Sequence, residues 1–148
     1  MKKVLSVLIA VLMFCSCAAA EPEAEQPKSE NEKADEWGVT LSVKNVTPES
    51  ATIVFNQSGG NPTGELMTGS YFRIENENGE LAFIAEGDIT WTAEAYNIPE
   101  SGELEMEVNW EGVYGTLEPG TYRIFKNVRN NSDPGDLIKE GSVEFTVE

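Results

Sequence analysis

The chain has 148 residues, a net charge of −16 at neutral pH, two cysteines and no histidine. The missing histidine excludes Ser-His-Asp and Cys-His catalysis and histidine-bound zinc, and the acidity excludes nucleic acid as a partner, because phosphate binding needs clustered Lys and Arg. The sequence also lacks the Gly-x-x-x-x-Gly-Lys, Gly-x-Ser-x-Gly and Ser-x-x-Lys motifs. We therefore predict neither an enzyme nor a cofactor.

The first seventeen residues have the pattern of a cleaved export signal. Met1 is followed by two lysines, and an apolar run from Val4 to Phe14 leads to Cys15 and Cys17. As a helix this run would rise only about 16 Å, half of the roughly 30 Å that a membrane span needs. The run is therefore predicted to be removed rather than to span the membrane.

The end of this signal resembles a bacterial lipoprotein signal, in which a cysteine after a small residue is lipidated. Cys17 follows the small Ser16, whereas Cys15 follows the bulky Phe14. We expect residues 1–17 to be the lipoprotein signal ending at lipidated Cys17, and the mature protein to be anchored outside the cytoplasm on the bacterial cell membrane. The alternative is an ordinary secreted protein cut near Ala18–Ala20.

Residues 18–36 are predicted to form a disordered acidic tether. They include seven acidic residues, two lysines and two prolines, with no aromatic or branched apolar residue. Such a segment buries too little apolar surface to offset its ordering entropy. A flexible coil of this length reaches roughly 25 Å, so the domain is expected to lie close to the membrane.

From residue 37 to 148 the sequence predicts one all-β domain. Short segments of alternating apolar and polar residues are separated by turn residues, as in an antiparallel β-sandwich, and none has helical periodicity. The predicted strands cover residues 39–44, 51–56, 72–75, 81–84, 89–96, 103–110, 122–128 and 143–147. The Asn78-Gly79 pair predicts a tight turn, and Trp110 is expected in the core. Both cysteines lie in the signal, so no disulfide is expected in the domain.

The segment from Leu117 to Tyr122 has the form Leu-x-Pro-Gly-x-Tyr, with Pro119 and Gly120 inside it. It is similar to the tyrosine corner of Greek-key sandwiches, in which a Tyr at the start of a strand bonds to the backbone upstream. This interpretation places Tyr122 on the strand equivalent to F and residues 143–147 on the strand equivalent to G.

These residues together resemble the bacterial immunoglobulin-like domains of lipoproteins and sensor proteins in Gram-positive bacteria. The matching segments are 38–41, 91 with 95–96, 110, 114–126 and 144–146. The resemblance covers essentially all of residues 37–148. It implies an immunoglobulin-like antiparallel β-sandwich with Greek-key topology, about seven or eight strands and an envelope setting, and it brings no catalytic residues.

Glu103, Glu105 and Glu107 are predicted to project from one face of a strand. Their spacing of about 7 Å falls in the range of an inverting glycosidase, yet every strand with alternating Glu has the same spacing. A solvated face that protects a sheet edge is the favoured interpretation. A patch for a cation or basic partner and a catalytic pair are the alternatives.

Two long connections, residues 57–69 and 129–140, are predicted to meet at one end of the sandwich, as the B–C and F–G loops do. We call the candidate partner-binding residues on them the loop rim. The loop rim consists of Asn61, Glu65, Arg129, Asn131, Asp133 and Asp136. Ordinary solvated turns are the alternative. Asp133 and Asp136 are a weak calcium candidate, and no metal site is predicted.

Trp91, Tyr96 and Tyr114 are candidates for stacking on sugars if they are exposed, although cores take up most aromatic residues. The sequence as a whole predicts a membrane-anchored envelope lipoprotein whose single domain is a non-catalytic binding module for an envelope protein or glycan. An architectural spacer or accessory subunit is the alternative, and a carboxylate-based glycoside hydrolase is a remote one.

Overall fold

The computed structural model describes residues 36–62, 64–82, 89–131 and 137–148. The signal, Cys17, residues 18–35 of the tether, Asp133 and Asp136 lie outside this part of the chain. The described residues form seven strands and one short helix: β1 (Val39–Lys44), β2 (Ser50–Gln57), β3 (Glu65–Asn76), β4 (Ala95–Ile98), β5 (Gly102–Asn109), α1 (Glu111–Tyr114), β6 (Gly120–Asn131) and β7 (Leu137–Val147).

The strands form two antiparallel sheets that pack face to face. One sheet has the order β1-β2-β5 and the other the order β4-β3-β6-β7. In immunoglobulin terms these are strands A, B and E against C′, C, F and G, because β4 pairs with β3 rather than with β5. The predicted immunoglobulin-like, all-β sandwich is confirmed.

The core forms where the inward residues of both sheets meet. Ile53 on β2 and Ile74 on β3 are 0% exposed, and Ile124 on β6 is 1% exposed. Alternate residues of a strand point to opposite faces, so the same alternation that predicted the strands also buries these side chains. Trp110 is 0% exposed, as predicted, and its indole N–H donates to the carbonyl of Pro48 at 2.9 Å.

Two predicted strands differ from the structure on the C′ side. The sequence predicted a strand at residues 89–96, whereas the structure has the shorter strand β4 at Ala95–Ile98. Ile98 of β4 pairs with Leu66 of β3. Trp91, five residues before the end of the predicted strand, packs edge-on against Phe72 with ring centroids 4.9 Å apart and is not part of a strand. After the Asn78-Gly79 turn the return strand is a single bridge between Leu81 and Glu75 in the described residues.

The helix α1 was not predicted from the sequence, because four residues are too few to show a helical period. The helix turns Tyr114 into the core, where its side chain is 3% exposed and its hydroxyl accepts a hydrogen bond from the Ile74 N–H at 3.2 Å. Burial raises the pKa of the Tyr114 phenol. Across the described ranges we find no helix with the length and apolar character of a membrane span.

Tyr122 makes the hydrogen bond that defines a tyrosine corner. Its hydroxyl donates to the carbonyl of Glu118 at 2.9 Å, and its ring stacks on Phe145 with centroids 5.7 Å apart. Upstream, the Leu117 N–H donates to the carbonyl of Pro48 at 2.8 Å. These contacts fix the start of β6 against the end of the other sheet.

β3 contains a bulge opposite β6. Thr68 pairs with Val128 and Phe72 pairs with Lys126, so three residues of β3 face one residue of β6. The Lys126 side chain points inward and is 0% exposed, and its Nζ donates to the carbonyl of Gly69 inside the bulge at 2.5 Å. A buried ammonium therefore has a backbone oxygen as its partner.

Candidate interaction surfaces

Three of the four described residues of the loop rim lie on strands rather than on loops. β3 already begins at Glu65, and β6 continues through Arg129 to Asn131. The predicted connections 57–69 and 129–140 are therefore too long. Leu66 and Thr68 on β3 point into the core at 2% and 3% exposure, so inward packing extends the strand through a stretch whose composition favours a loop.

The structure still brings these residues to one end of the sandwich. Glu65 pairs directly with Asn131, and Met67 pairs with Arg129. Asn61 lies in the β2–β3 connection at the same end, where its N–H donates to the carbonyl of Glu36 at 2.9 Å. Asp133 and Asp136 fall outside the described residues, so the proposed role of the loop rim stays a prediction.

The chain enters the domain at this same end, and its path is fixed by close backbone contact. The Ser58 N–H donates to the carbonyl of Gly38 at 2.9 Å. A Cβ added to Gly60 would lie 2.2 Å from the carbonyl carbon of Trp37, and one added to Gly38 would lie 2.5 Å from the carbonyl oxygen of Gly59. Only glycine allows two backbones to approach this closely.

Side chains strengthen this attachment. Lys139 on β7 forms an ion pair with Glu36 at 2.5 Å, and its ammonium lies 4.4 Å from the ring centroid of Trp37. Trp37 is 2% exposed. A cation over an aromatic face is stabilised by the ring quadrupole, and a buried Trp anchors the chain. Among the described residues, the domain contacts therefore include Glu36, which the sequence analysis placed in the tether.

The outer face of the four-stranded sheet carries a group of residues that the sequence analysis did not single out. We call it the arginine face. Its members point away from the core on β3, β6 and β7: Met67, Tyr71, Arg73, Arg123, Phe125, Arg129 and Ile138. The chain has three arginines, and all three lie here. The sequence already indicated that the arginines point outward, because each of them alternates along its strand with residues of the buried face.

Arg73 organises the middle of the arginine face. Its guanidinium lies 3.7 Å from the ring centroid of Phe125, donates to Glu75 on the same strand, and donates to Glu140 on β7 at 2.9 Å. An Arg fork stacked on an aromatic ring and paired with carboxylates is held in one geometry. This part of the surface is therefore preorganised.

Of the three aromatic residues proposed to stack on sugars, Tyr114 is part of the core, which corrects that prediction for this residue. Trp91 is half-buried and packs edge-on against Tyr71 at 5.3 Å. Tyr96 is 36% exposed. The Tyr96 hydroxyl donates to the Glu94 carboxylate at 2.8 Å, and this hydrogen bond raises the pKa of the phenol.

The outer face of the three-stranded sheet, which we call the glutamate face, carries Glu103, Glu105 and Glu107, all of them exposed. Lys44 on β1 pairs with Glu105 at 2.6 Å, and Asn56 on β2 donates to Glu103 at 3.3 Å. These carboxylates are surrounded by polar side chains on an open sheet. The geometry favours the solvated face over the catalytic pair.

Metal binding has no support among the residues that the structure describes, since they contain no group of three carboxylate or sulfur side chains placed to hold an ion. The calcium candidate, Asp133 with Asp136, lies outside them and stays a prediction.

Comparison with known families identifies the fold. The family model described as a bacterial Ig-like domain matches residues 35–146, which is well over half of the chain. The chain therefore belongs to the bacterial Ig-like domain family, and the resemblance to bacterial immunoglobulin-like domains is confirmed. The setting among lipoproteins and sensor proteins of Gram-positive bacteria stays a prediction. A bacterial Ig-like domain indicates a non-catalytic interaction module. Searches of the curated proteins and of the solved structures give no match.

Proposed function

We propose that this protein is an extracytoplasmic lipoprotein, anchored to the bacterial cell membrane through Cys17, whose Ig-like domain is a non-catalytic module that binds an envelope partner. The contrast between its two outer faces carries the proposal. One face presents the exposed Tyr71 and Ile138 among all three arginines and four outward glutamates, whereas the outward residues of the other face are polar apart from Val54. Exposed apolar groups gathered on one face of a soluble domain are typical of interaction sites.

The attachment of the chain places the loop rim at the tethered end of this module. The N-terminal segment joins the domain at Glu36, beside Asn61 of the loop rim. With the anchor at Cys17 the loop rim is the end of the domain from which the tether leaves, and the two sheet faces are its flanks. The flanks and the opposite end, around Glu118, are then farther from the attachment point of the tether than the loop rim is.

Site-specific crosslinking in the native cells tests this function. A photoreactive amino acid is placed at one exposed position on each surface: Thr146 beside the arginine face, Glu107 on the glutamate face and Asn61 on the loop rim. A binding module gives the same crosslinked molecule reproducibly from one surface and not from the others. Equal, indiscriminate crosslinks from all three positions, or none from any, would identify the domain as a spacer instead.

A further inference from the structure

We propose that the outer edge of β5 binds an extended protein segment in which basic and apolar residues alternate. The segment pairs with β5 and becomes a fourth strand of the three-stranded sheet. This inference goes beyond the proposed function, because it concerns a sheet edge rather than an outer face and gives the chemistry of the partner. Three observations carry it: the open backbone of β5, the half-buried apolar residues on its inner side and the row of carboxylates on its outer side.

β5 is an edge strand whose backbone is open on one side. It pairs with β2 from Gly102 to Asn109 in an unbroken register, and it ends the sheet order β1-β2-β5. Among the described residues, no backbone hydrogen bond from another segment reaches its other side. Proteins commonly protect such an edge with Pro, Lys or a bulge. β5 has none of these three, so its backbone is available to a further strand.

Apolar side chains lie along this edge on the inner side of the sheet. Leu104 and Met106 point inward, yet they are only half-buried. On β4, the edge strand of the other sheet, Tyr96 pairs with the buried Thr68 and so points to the inner side as well; it is 36% exposed. Only residues 99–101 connect β4 to β5, which keeps the two edge strands close. The inward residues of an added strand would cover these apolar side chains.

The outward residues of β5 determine the charge of the partner. Glu103, Glu105 and Glu107 alternate along the strand and are all exposed. Lys44 is the one cation among the outward residues of β1, β2 and β5. Side chains opposite each other on neighbouring strands lie about 5 Å apart. Lys or Arg at the outward positions of an added strand would therefore form cross-strand pairs with these carboxylates.

The three carboxylates are able to accept further donors. Glu107 has no ion pair among the described residues, and Glu103 accepts one hydrogen bond, from the neutral amide of Asn56 at 3.3 Å. Glu105 pairs with Lys44 at 2.6 Å, and the two side chains are 51% and 44% exposed. An exposed pair of this kind contributes little to stability. A carboxylate also has two oxygens, so a second donor can bind beside Lys44.

A second copy of the chain fits this edge poorly. If two β5 strands paired antiparallel with both sandwiches on the same side, the two rows of glutamates would face each other. In a register shifted by one residue, the inward Leu104 and Met106 of one copy would lie on the same side as the glutamates of the other. Like charges directly opposite each other are destabilising, and a net charge of −16 repels a second copy at longer range. A basic segment avoids both conflicts.

Fluorescence anisotropy tests the proposal on the full chain, held in micelles of a nonionic detergent. The probe is a labelled ten-residue peptide of alternating Lys and Val. A Glu-Val peptide tests the charge. A Lys-Val peptide methylated on every backbone nitrogen tests the strand pairing, because it keeps its side chains and has no N–H donors for a sheet. We expect the Lys-Val peptide to bind saturably and both control peptides to bind at least about tenfold more weakly.

Two charge-matched variants then locate the contact. Glu105→Lys and Glu144→Lys reverse the charge of two ion-paired carboxylates of nearly equal exposure, 51% and 53%, on different sheets. We expect Glu105→Lys to weaken binding of the Lys-Val peptide at least about tenfold and Glu144→Lys to change it by less than about twofold. Circular dichroism checks that both variants are folded.

Five results would overturn the proposal: no saturable binding at millimolar peptide, equal binding of the methylated peptide, equal binding of the Glu-Val peptide, equal weakening by the two variants, or peptide binding that weakens as the chain is concentrated. The second and fourth would indicate unspecific attraction to an acidic chain, and the fifth a second copy on this edge. Crosslinks from Thr146 and Asn61 do not depend on the β5 edge, so the proposed function fails or stands separately.

Discussion

Lys126 donates a hydrogen bond from its Nζ to the carbonyl oxygen of Gly69 at 2.5 Å inside the sandwich. Burial removes the ammonium from water, and it lowers the pKa of Lys126 from 10.5 to about 8. A buried charge with a single backbone acceptor is destabilising for the folded state. The bulge of β3 supplies that acceptor.

The stability of the domain is expected to rise between pH 8 and about 9.5. In this range the unfolded chain still holds the Lys126 proton that the folded chain releases, so the free energy of unfolding increases with pH. The full difference between a pKa of 10.5 and about 8 corresponds to about 3 kcal/mol of stability. The raised pKa of Tyr114 acts in the opposite direction above pH 10. Urea denaturation at pH 7.5, 8.5 and 9.5 measures the slope.

Lys126→Met is expected to flatten this slope, since the titrating group is gone. Lys44→Met, which removes an exposed lysine and leaves Lys126 in place, is expected to keep it. A slope that survives in Lys126→Met would mean that another group is responsible.

The tyrosine corner is expected to contribute through one hydrogen bond. Tyr122→Phe removes the hydroxyl that donates to Glu118 and keeps the ring on Phe145, so it should destabilise the domain by about 1 kcal/mol. Tyr96→Phe removes a hydroxyl from an exposed Tyr that bonds to Glu94, and it should leave the stability of the domain almost unchanged. The denaturant midpoints of the two variants are compared with that of the unchanged protein. Equal losses of stability would contradict the interpretation of Tyr122 as a tyrosine corner.

The attachment of the chain at Glu36 depends on close backbone packing, and two neighbouring glycines separate packing from backbone conformation. Gly59 and Gly60 have nearly equal positive φ angles, 71° and 73°. A Cβ on Gly59 meets nothing within 4 Å, whereas one on Gly60 lies 2.2 Å from the Trp37 backbone. Gly59→Ala should cost about 1 kcal/mol and Gly60→Ala at least about 2 kcal/mol more. Thermal unfolding compares the midpoints of the two variants. Equal midpoints would show that the close contact between Gly60 and the Trp37 backbone does not contribute to stability.

Alternation predicted the sandwich well, because residues such as Ile53, Ile74 and Ile124 are buried by the same period that defines a strand. It placed some strand ends wrongly. Gly64 and Gly69 give the segment around Leu66 and Thr68 a composition that favours a loop. The segment forms part of β3 because Leu66 and Thr68 pack inward.

The arginine face was harder to predict. Its residues come from β3, β6 and β7, and only the register brings Arg73, Phe125 and Glu140 together. Lys126 lies two residues from both Ile124 and Val128, which point inward. The alternation of the strand therefore already indicated a buried lysine. Its acceptor lies in a bulge that no local pattern indicates.

We propose that this Ig-like domain is anchored to a membrane through Cys17, and the two cysteines of the chain, Cys15 and Cys17, allow a matched test. Cells that express the full chain, Cys17→Ser or Cys15→Ser are labelled with a palmitate analogue and separated into membrane and soluble fractions. We expect Cys17→Ser to lose the label and Cys15→Ser to keep both the label and its place in the membrane fraction. Labelled Cys17→Ser protein, or an unlabelled full chain in the soluble fraction, would contradict the claim.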